Sequence, residues 1–265
     1  MSRGPDTRSS GADAVDAVAA RAEAARILAE YARRQRELPW DFYSLLRPAV
    51  LFAKQQRERA VLELLRRERL TDLREQWVLE IGCGHGDWLA DLEAWGARRE
   101  RLAAIELDPA RAREAQARFA ASRGEGGTVI APGADVRVGD ASRLPWADGV
   151  FDLVLQSTVF SSVLRPELRR AIAAEMVRVL RPGGAILWYD LAVDNPKNSK
   201  VRGVRAAEIR ALFPGHEARL RRITLAPPVA RRLVPVSWLA AAMLERCVLL
   251  NSHYLGLLRR GDAAR

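Results

Sequence analysis

The sequence predicts an α/β fold, a mostly parallel β-sheet with helices on both faces. Three observations lead there. From residue 77 onward, short apolar runs alternate with helix-like segments, the pattern of a parallel sheet joined by crossover helices. The first run, "WVLEI" (77–81), passes straight into "GCGHG", three glycines in five positions, which marks a turn whose backbone must lie bare. The chain has 265 residues, 49% of them hydrophobic, enough for one ordinary domain with a real core plus an extension.

Residues 1–12 are polar and read as a disordered tail. Residues 13–74 read as an N-terminal helical extension. Its first part, 13–37, is rich in Ala, Arg and Glu and ends before Pro39. An aromatic connector, "WDFYSLLRP", follows. Pro48 then opens a helix to about Arg69, with Val61, Leu62, Leu64 and Leu65 in its apolar stripe.

Residues 75–265 form the main domain, with a cofactor half (75–190) and a C-terminal part (191–265). Strands are expected at 77–81, 101–107, 135–140, 150–157 and 184–191, with helices near 86–96, 108–122 and 165–180. "SRGEGGTVIAPGA" (122–134) reads as a surface loop from its Gly and Pro content. A helix near 204–213, a strand near 218–225, a helix near 235–250 and a last strand at 252–258 complete the chain.

In such sheets ligands bind beyond the carboxyl ends of the strands. The Gly82-Cys83-Gly84-His85-Gly86 turn sits there and feeds a helix N-terminus. The dinucleotide fingerprint would require a third glycine at position 87, which is Asp87. Glu80, just ahead of the turn, disfavours a pyrophosphate and suits a cationic ligand. S-adenosylmethionine carries both an ammonium and a sulfonium. Glu106, 24 residues after Gly82, ends the second strand where a carboxylate can accept ribose hydroxyls. Asp140, at the end of the third, can accept from an adenine amino group, with the Ala141 N–H beside it; Asp135 is its nearby rival.

The stretches "LEIGCGHGDWL", "AIELDP", "VGDASRLP", "FDLVLQSTVF" and "MVRVLRPGGAILWYD" together resemble the class I S-adenosylmethionine-dependent methyltransferases over residues 75–190. The resemblance implies a three-layer Rossmann-like sandwich, a mostly parallel seven-stranded sheet with an antiparallel last strand, for which "SHYLGLLRR" is the candidate. It implies that Glu80, Gly82 and Gly84 hold the methionine part of the cofactor, Glu106 the ribose, and Asp140 and Ala141 the adenine. Gln156 would line the mouth near the methyl group. Cys83 and Leu107 complete the expected cofactor-contacting set, although Cys83 equally suits packing. Asp108 reads as a helix cap. His85 stands where the family has a small residue.

The acceptor must be read from other residues. Asp190, at the end of the fifth strand, is the leading general-base candidate and His253 the second; a loop-capping role suits Asp190 as well. Lys197, Lys200, Arg202 and Arg205 follow and could receive a phosphate. The stretches "YSLLRPAVLFAKQQRERAVLELL", "WYDLAVDNPKNSKVRGVRAAEIRALFPG" and "LNSHYLGLLRR" resemble a bacterial subgroup associated with polysaccharide or specialised-metabolite assembly. That ranks a sugar or other small hydroxylated metabolite first, methylated on oxygen, with a phosphate- or lipid-linked form left open. Tyr31, Trp40, Phe42 and Tyr43 would then belong to a lid.

Charge keeps two alternatives open. Residues 1–80 carry a net +2, residues 81–190 a net −1, and residues 191–265 a net +9, from 14 basic against five acidic side chains. Such a field suits phosphate, nucleic acid or an anionic membrane surface, or simply a solubilised face. An RNA methyltransferase ranks lower because no aromatic-basic recognition module is visible. A non-catalytic protein docking to a membrane or partner through its basic C-terminal region ranks lower because the cofactor motifs are intact. Cys83 and Cys247 are too few and too far apart for a disulfide framework or a cysteine zinc site, and no other metal set is expected. With no apolar leader and no span-length stretch, the expected place is the cytoplasm, with peripheral membrane contact open.

Overall fold

A computed structural model describes residues 9–123, 128–196 and 198–261. Two helices lead the chain, α1 (Ser9–Glu37) and α2 (Pro48–Arg67). Then come β1 (Val78–Ile81), α3 (Asp87–Ala94), β2 (Leu102–Glu106) and α4 (Pro109–Arg118). A short ribbon, β3 (Ser122–Arg123) and β4 (Val129–Ala131), precedes β5 (Asp135–Val138) and β6 (Phe151–Ser157). Helix α5 (Pro166–Val179), strand β7 (Leu180–Leu191), α6 (Ala206–Leu212) and β8 (His216–Leu225) follow. Helices α7 (Pro227–Leu233) and α8 (Trp238–Glu245) lead to β9 (Asn251–Arg260).

Seven strands form one sheet in the order β5-β2-β1-β6-β7-β9-β8. The order reverses beside β1, so the turn after β1 stands at the topological switch point. Strands β5, β2, β1, β6 and β7 pair in parallel, and β9 enters antiparallel to both β7 and β8. The expected sheet and antiparallel last strand are therefore present.

All four residues of β1 are buried, as a strand covered on both faces requires. Val78 belongs to the core under α2, α3 and α4, which includes Val61, Leu65, Leu89 and Phe119. Leu79 and Ile81 belong to the opposite core under α1, α5 and α6, with Ile27, Met176 and Ile209. Alternation then turns Glu80 toward the α2 and α3 side. Pro48, Pro109 and Pro166 each begin a helix, and the Asp108 carboxylate accepts from the Ala110 N–H at 2.8 Å, the expected cap.

Several boundaries differ from expectation. Helix α1 starts at Ser9, so residues 9–12 are helical; residues 1–8 lie outside the described residues. The 122–134 loop contains the β3–β4 ribbon, while 124–127 lie outside the described residues. The single helix expected near 235–250 is two pieces. Ser237 caps α8 by accepting from the Ala240 N–H, and a 3₁₀ turn at Val248–Leu250 follows the helix. At its other end the Asn251 Nδ2 donates to the Glu245 carbonyl at 2.8 Å, a partner from beyond the helix that periodicity alone does not register.

Gly256 lets β9 fit between its neighbours. A Cβ there would stand 2.4 Å from the Arg219 carbonyl oxygen and 2.7 Å from Leu220 Cδ2. Gly256→Ala is expected to destabilise the protein by about 2 kcal/mol in denaturant unfolding. An unchanged midpoint would contradict this close packing of β9.

Candidate functional site

The turn after β1 needs left-handed backbone at three alternate positions: φ is +69° at Gly82, +56° at Gly84 and +82° at Gly86. Glycine adopts this without a steric penalty. The Gly82 and Cys83 N–H groups donate to the Ile105 carbonyl at 2.8 and 3.2 Å. The Gly84 N–H donates to Glu106 Oε2 at 2.8 Å. A Cβ on Gly84 would meet nothing within 4 Å, so open space lies above it, whereas one on Gly82 would strike Val159 at 2.6 Å.

Beside the turn is a pocket of about 610 Å³, counting its open mouth. Gly82, Glu106, Leu107, Asp140 and Ala141, all expected from the sequence, line it. Glu106 is 4% exposed and already accepts from two N–H groups, those of Gly84 and Asp108. An ionised carboxylate offers about four acceptor sites, which leaves two for a pair of hydroxyls. Asp140 accepts from the Ser142 N–H through Oδ1, leaving Oδ2 for a donor in the pocket. Asp135 is instead held by Arg137 and by the Trp146 indole N–H, away from the pocket.

The other expected cofactor residues, Glu80, Cys83, Gly84 and Gln156, are not among the residues that line this pocket. Cys83 is buried, and burial raises its thiol above the ordinary range. Glu80 is 1% exposed, and its Oε2 has no hydrogen-bond partner among the described residues. Burial raises its carboxyl well above the usual range, and the nearby Glu106 adds to this. An unpartnered buried carboxylate oxygen calls for a cation or a donor. Gln156 is fully buried; its Oε1 accepts from the Val159 N–H at 3.2 Å, and its Nε2 also lacks a partner. Both orphans, the open space above Gly84 and the spare acceptors of Glu106 fit a nucleoside bearing an ammonium group.

Helix α1, expected to belong to a lid, contributes one wall of the pocket. Glu23, Ile27 and Tyr31 from one face of α1 lie over it. Glu23, 5% exposed, accepts from the Leu164 N–H at 2.6 Å. Arg26 donates to the Ser162 carbonyl, and the Arg111 guanidinium lies 3.9 Å from the centre of the Tyr31 ring. The i, i+4, i+8 spacing of these three positions was the available signal, although a charged residue among them masks an apolar face. Of the four aromatic residues expected in a lid, Tyr31 alone reaches the pocket. Trp40 is 95% exposed, Tyr43 is 58% exposed, and Phe42 packs under Arg231 on the other side of the extension.

The two base candidates occupy opposite faces of the sheet. Asp190 is fully buried. Its Oδ2 accepts from the Ser161 N–H at 3.2 Å and its Oδ1 from the Leu191 N–H at 2.7 Å. This is the loop-capping arrangement. Burial raises its pKa to about 6, with the Ser161 and Leu191 bonds and Arg169 opposing. His253 is half-buried and stacks on Tyr189, with ring centres 4.7 Å apart and planes 3° off parallel. Its Nδ1 lies 2.9 Å from Ser252 Oγ. Burial, with the charge of Arg57 second, lowers its pKa to about 3, so the ring is neutral at physiological pH.

Arg57, on α2, was not anticipated. Its guanidinium lies 4.5 Å from the Trp88 ring centre and 5.8 Å from that of Tyr189, and it pairs with Asp91 at 3.2 Å. Nothing in the α2 sequence distinguishes it from the other arginines there. The phosphate-receiving set is weakened. Arg202 pairs with Glu208, and Arg205 with Asp194. Lys200 is exposed and Lys197 lies outside the described residues. His85 pairs with Glu114 at 2.6 Å on the surface. No cluster able to hold a metal ion occurs among the described residues.

Residues 78–184 match the family described as "Methyltransferase domain". The chain is 36% identical over 118 residues to a phthiotriol/phenolphthiotriol dimycocerosates methyltransferase of Mycobacterium ulcerans, 44% of this chain and 38% of that protein. It is 33% identical over 141 residues to the Mycobacterium tuberculosis protein so named, 53% of this chain and 47% of that one. The chain thus spans less than half the length of these curated relatives. Among solved structures, a Methanosarcina mazei S-adenosylmethionine-dependent methyltransferase superposes with a TM-score of 0.51 at 17% identity, covering 73% of this chain and 96% of the other. Phosphoethanolamine N-methyltransferase 1 of Haemonchus contortus, solved with S-adenosylhomocysteine, gives 0.60 at 14% identity, covering 93% and 51%.

Asp190 makes a pH-dependent contribution with a defined sign. Its folded pKa of about 6 exceeds the ordinary 3.8, so its stabilising contribution is complete below about pH 4 and is lost as pH rises through about 6. The stability advantage of the wild type over Asp190→Asn is expected to shrink by about 3 kcal/mol between pH 4 and 7 in urea titrations. A constant difference would show that Asp190 does not titrate in this window.

Proposed function

We propose that this chain, a class I S-adenosylmethionine-dependent methyltransferase, methylates a hydroxylated, lipid-like small molecule. The observation that carries the cofactor part is the convergence of the glycine turn, Glu106 and Asp140 on one pocket. The lipid-like character of the acceptor is supported by relatives named for phthiotriol/phenolphthiotriol dimycocerosates and, in Caenorhabditis elegans, by a sterol 4-C-methyltransferase, whose name puts the methyl on carbon. These favour a lipid-like alcohol over the sugar that the sequence placed first.

When bound, S-adenosylmethionine supplies an electrophilic methyl group on a sulfonium. Glu106 would hold the ribose hydroxyls through its two spare acceptor sites, and Asp140 Oδ2 with the Ala141 N–H the adenine. Glu80 Oε2 would receive the ammonium, a contact that replaces its missing partner. Helix α1 would exclude water, with Tyr31 over the pocket.

A hydroxyl acceptor must lose a proton as it is methylated. Both oxygens of Asp190 already hold backbone N–H groups, which favours a bracing role for it. His253 is kept unprotonated, and with Nδ1 engaged by Ser252 its Nε2 is the free face. We assign the proton to His253 Nε2. A low basicity limits this transfer to the point at which the oxygen has become strongly acidic.

Calorimetry with S-adenosylhomocysteine is expected to show binding that Glu106→Ala weakens at least about tenfold, consistent with losing charge-assisted bonds. Asp140→Ala, at a partly exposed site, should weaken it without unfolding the protein. No heat with the wild type would sink the cofactor reading. In a labelled-methyl screen of lipid-like alcohols, sugars, phenols, amines and RNA, label is expected in the first class. His253→Gln should lower kcat there while leaving S-adenosylhomocysteine affinity unchanged. Label appearing only in RNA would favour the nucleic-acid alternative.

A further inference from the structure

Two segments far apart in sequence build one apolar rim. The turn 39–47, just ahead of α2, leaves Trp40 95% and Leu46 90% exposed. The α7–α8 region leaves Val236 82%, Leu239 70%, Met243 63% and Leu249 82% exposed. The segments are joined beneath this surface. Arg231 lies 4.5 Å from the Phe42 ring centre, Phe52 meets Trp238 edge-on at 5.3 Å, and Phe52, Ala230, Val234 and Ala241 share a small core. Side chains this large and apolar are exposed singly on most proteins, but a cluster of them marks a binding face.

The chemistry around the rim selects the occupant. Arg231, Arg232 and Arg246 flank it, and none forms an ion pair among the described residues. Helix α8, "WLAAAMLE", carries no charge before its final residue. Apolar side chains with a tryptophan, flanked by guanidinium groups that no carboxylate neutralises among the described residues, match the boundary of an anionic bilayer, where the arginines meet lipid phosphates. No helix of the described residues is long and apolar enough to cross a membrane, so contact would be at the surface.

Placement supplies a purpose. Helices α7 and α8 connect the carboxyl end of β8 to the start of β9, and His253 of β9 pairs with Leu191 at the carboxyl end of β7. The rim therefore stands at the same end of the sheet as the glycine turn. We propose that Trp40, Leu46 and the exposed face of α7–α8 dock the protein on an anionic lipid surface and present the acceptor-facing end of the sheet to it. This deepens the reading of a lipid-like acceptor and rests on it for the purpose of docking.

Flotation with vesicles of phosphatidylcholine containing about one quarter phosphatidylglycerol tests this. The wild type should float with them, and much less with pure phosphatidylcholine or in high salt, as screening requires. Leu46→Glu with Leu239→Glu should reduce the floated fraction about tenfold, and Arg232→Gln with Arg246→Gln should remove the preference for anionic vesicles. All four positions are exposed, so the variants should melt like the wild type and bind S-adenosylhomocysteine equally. Wild-type protein that does not float, or a Leu46/Leu239 variant that floats as well, would overturn the proposal. So would a wild-type dimer in light scattering that the same variant turns into a monomer, with no flotation. Failure to bind S-adenosylhomocysteine would sink the methyltransferase reading separately, whatever the flotation result.

Discussion

The bond from the Gly84 N–H to the Glu106 carboxylate ties together the two strand ends on which the site depends. The turn after β1 follows a path that only glycine tolerates easily at three positions, and such a path needs something to hold it. Glu106 holds it from the tip of the neighbouring strand while also accepting from the Asp108 N–H. Parallel pairing of Ile81 with Ile105 places that carboxylate beside the turn. One side chain thus fixes the backbone cradle and presents the remaining acceptors to the pocket.

A second set of buried polar groups fixes the loops that face this cradle. Arg169 is fully buried, donates to the Val163 and Arg202 carbonyls, and pairs with Glu208. Asp190 holds the Ser161 N–H from the end of β7. The loop after β6 and the loop after β7 are therefore tied to each other and to α5 and α6. Helix α1 rests on the first of these loops through Glu23 and Arg26. Breaking one member of such a set leaves a charge or donor buried without a partner, which costs more than the bond itself is worth.

The division of the sheet end into two faces has a chemical consequence. On the α1 and α5 side, the pocket suits the nucleoside. On the α2 and α3 side, Glu80, Trp88, Arg57, Tyr189 and His253 gather beneath the extension. The extension thus contributes to both faces, α1 to one and α2 to the other, and its connecting turn leads outward to the apolar rim. The helices read in the sequence as an extension and candidate lid thus pack against both faces of the sheet.

The strands, the switch-point turn, Glu106 and Asp140 were legible in the sequence because each depends on local signals: apolar runs, glycines that need positive φ, and carboxylates at strand ends. The family resemblance rested on those same residues. Asp190 and His253 were legible as candidates, but not their opposition, because alternation puts neighbours on paired strands on different faces only once the β7–β9 register is known. Arg57, the latch made by Glu23, and the joining of residues 39–47 to α7 and α8 were not legible at all. Each is a contact between segments distant in the chain, and such contacts are decided by packing, to which local propensity and spacing are blind.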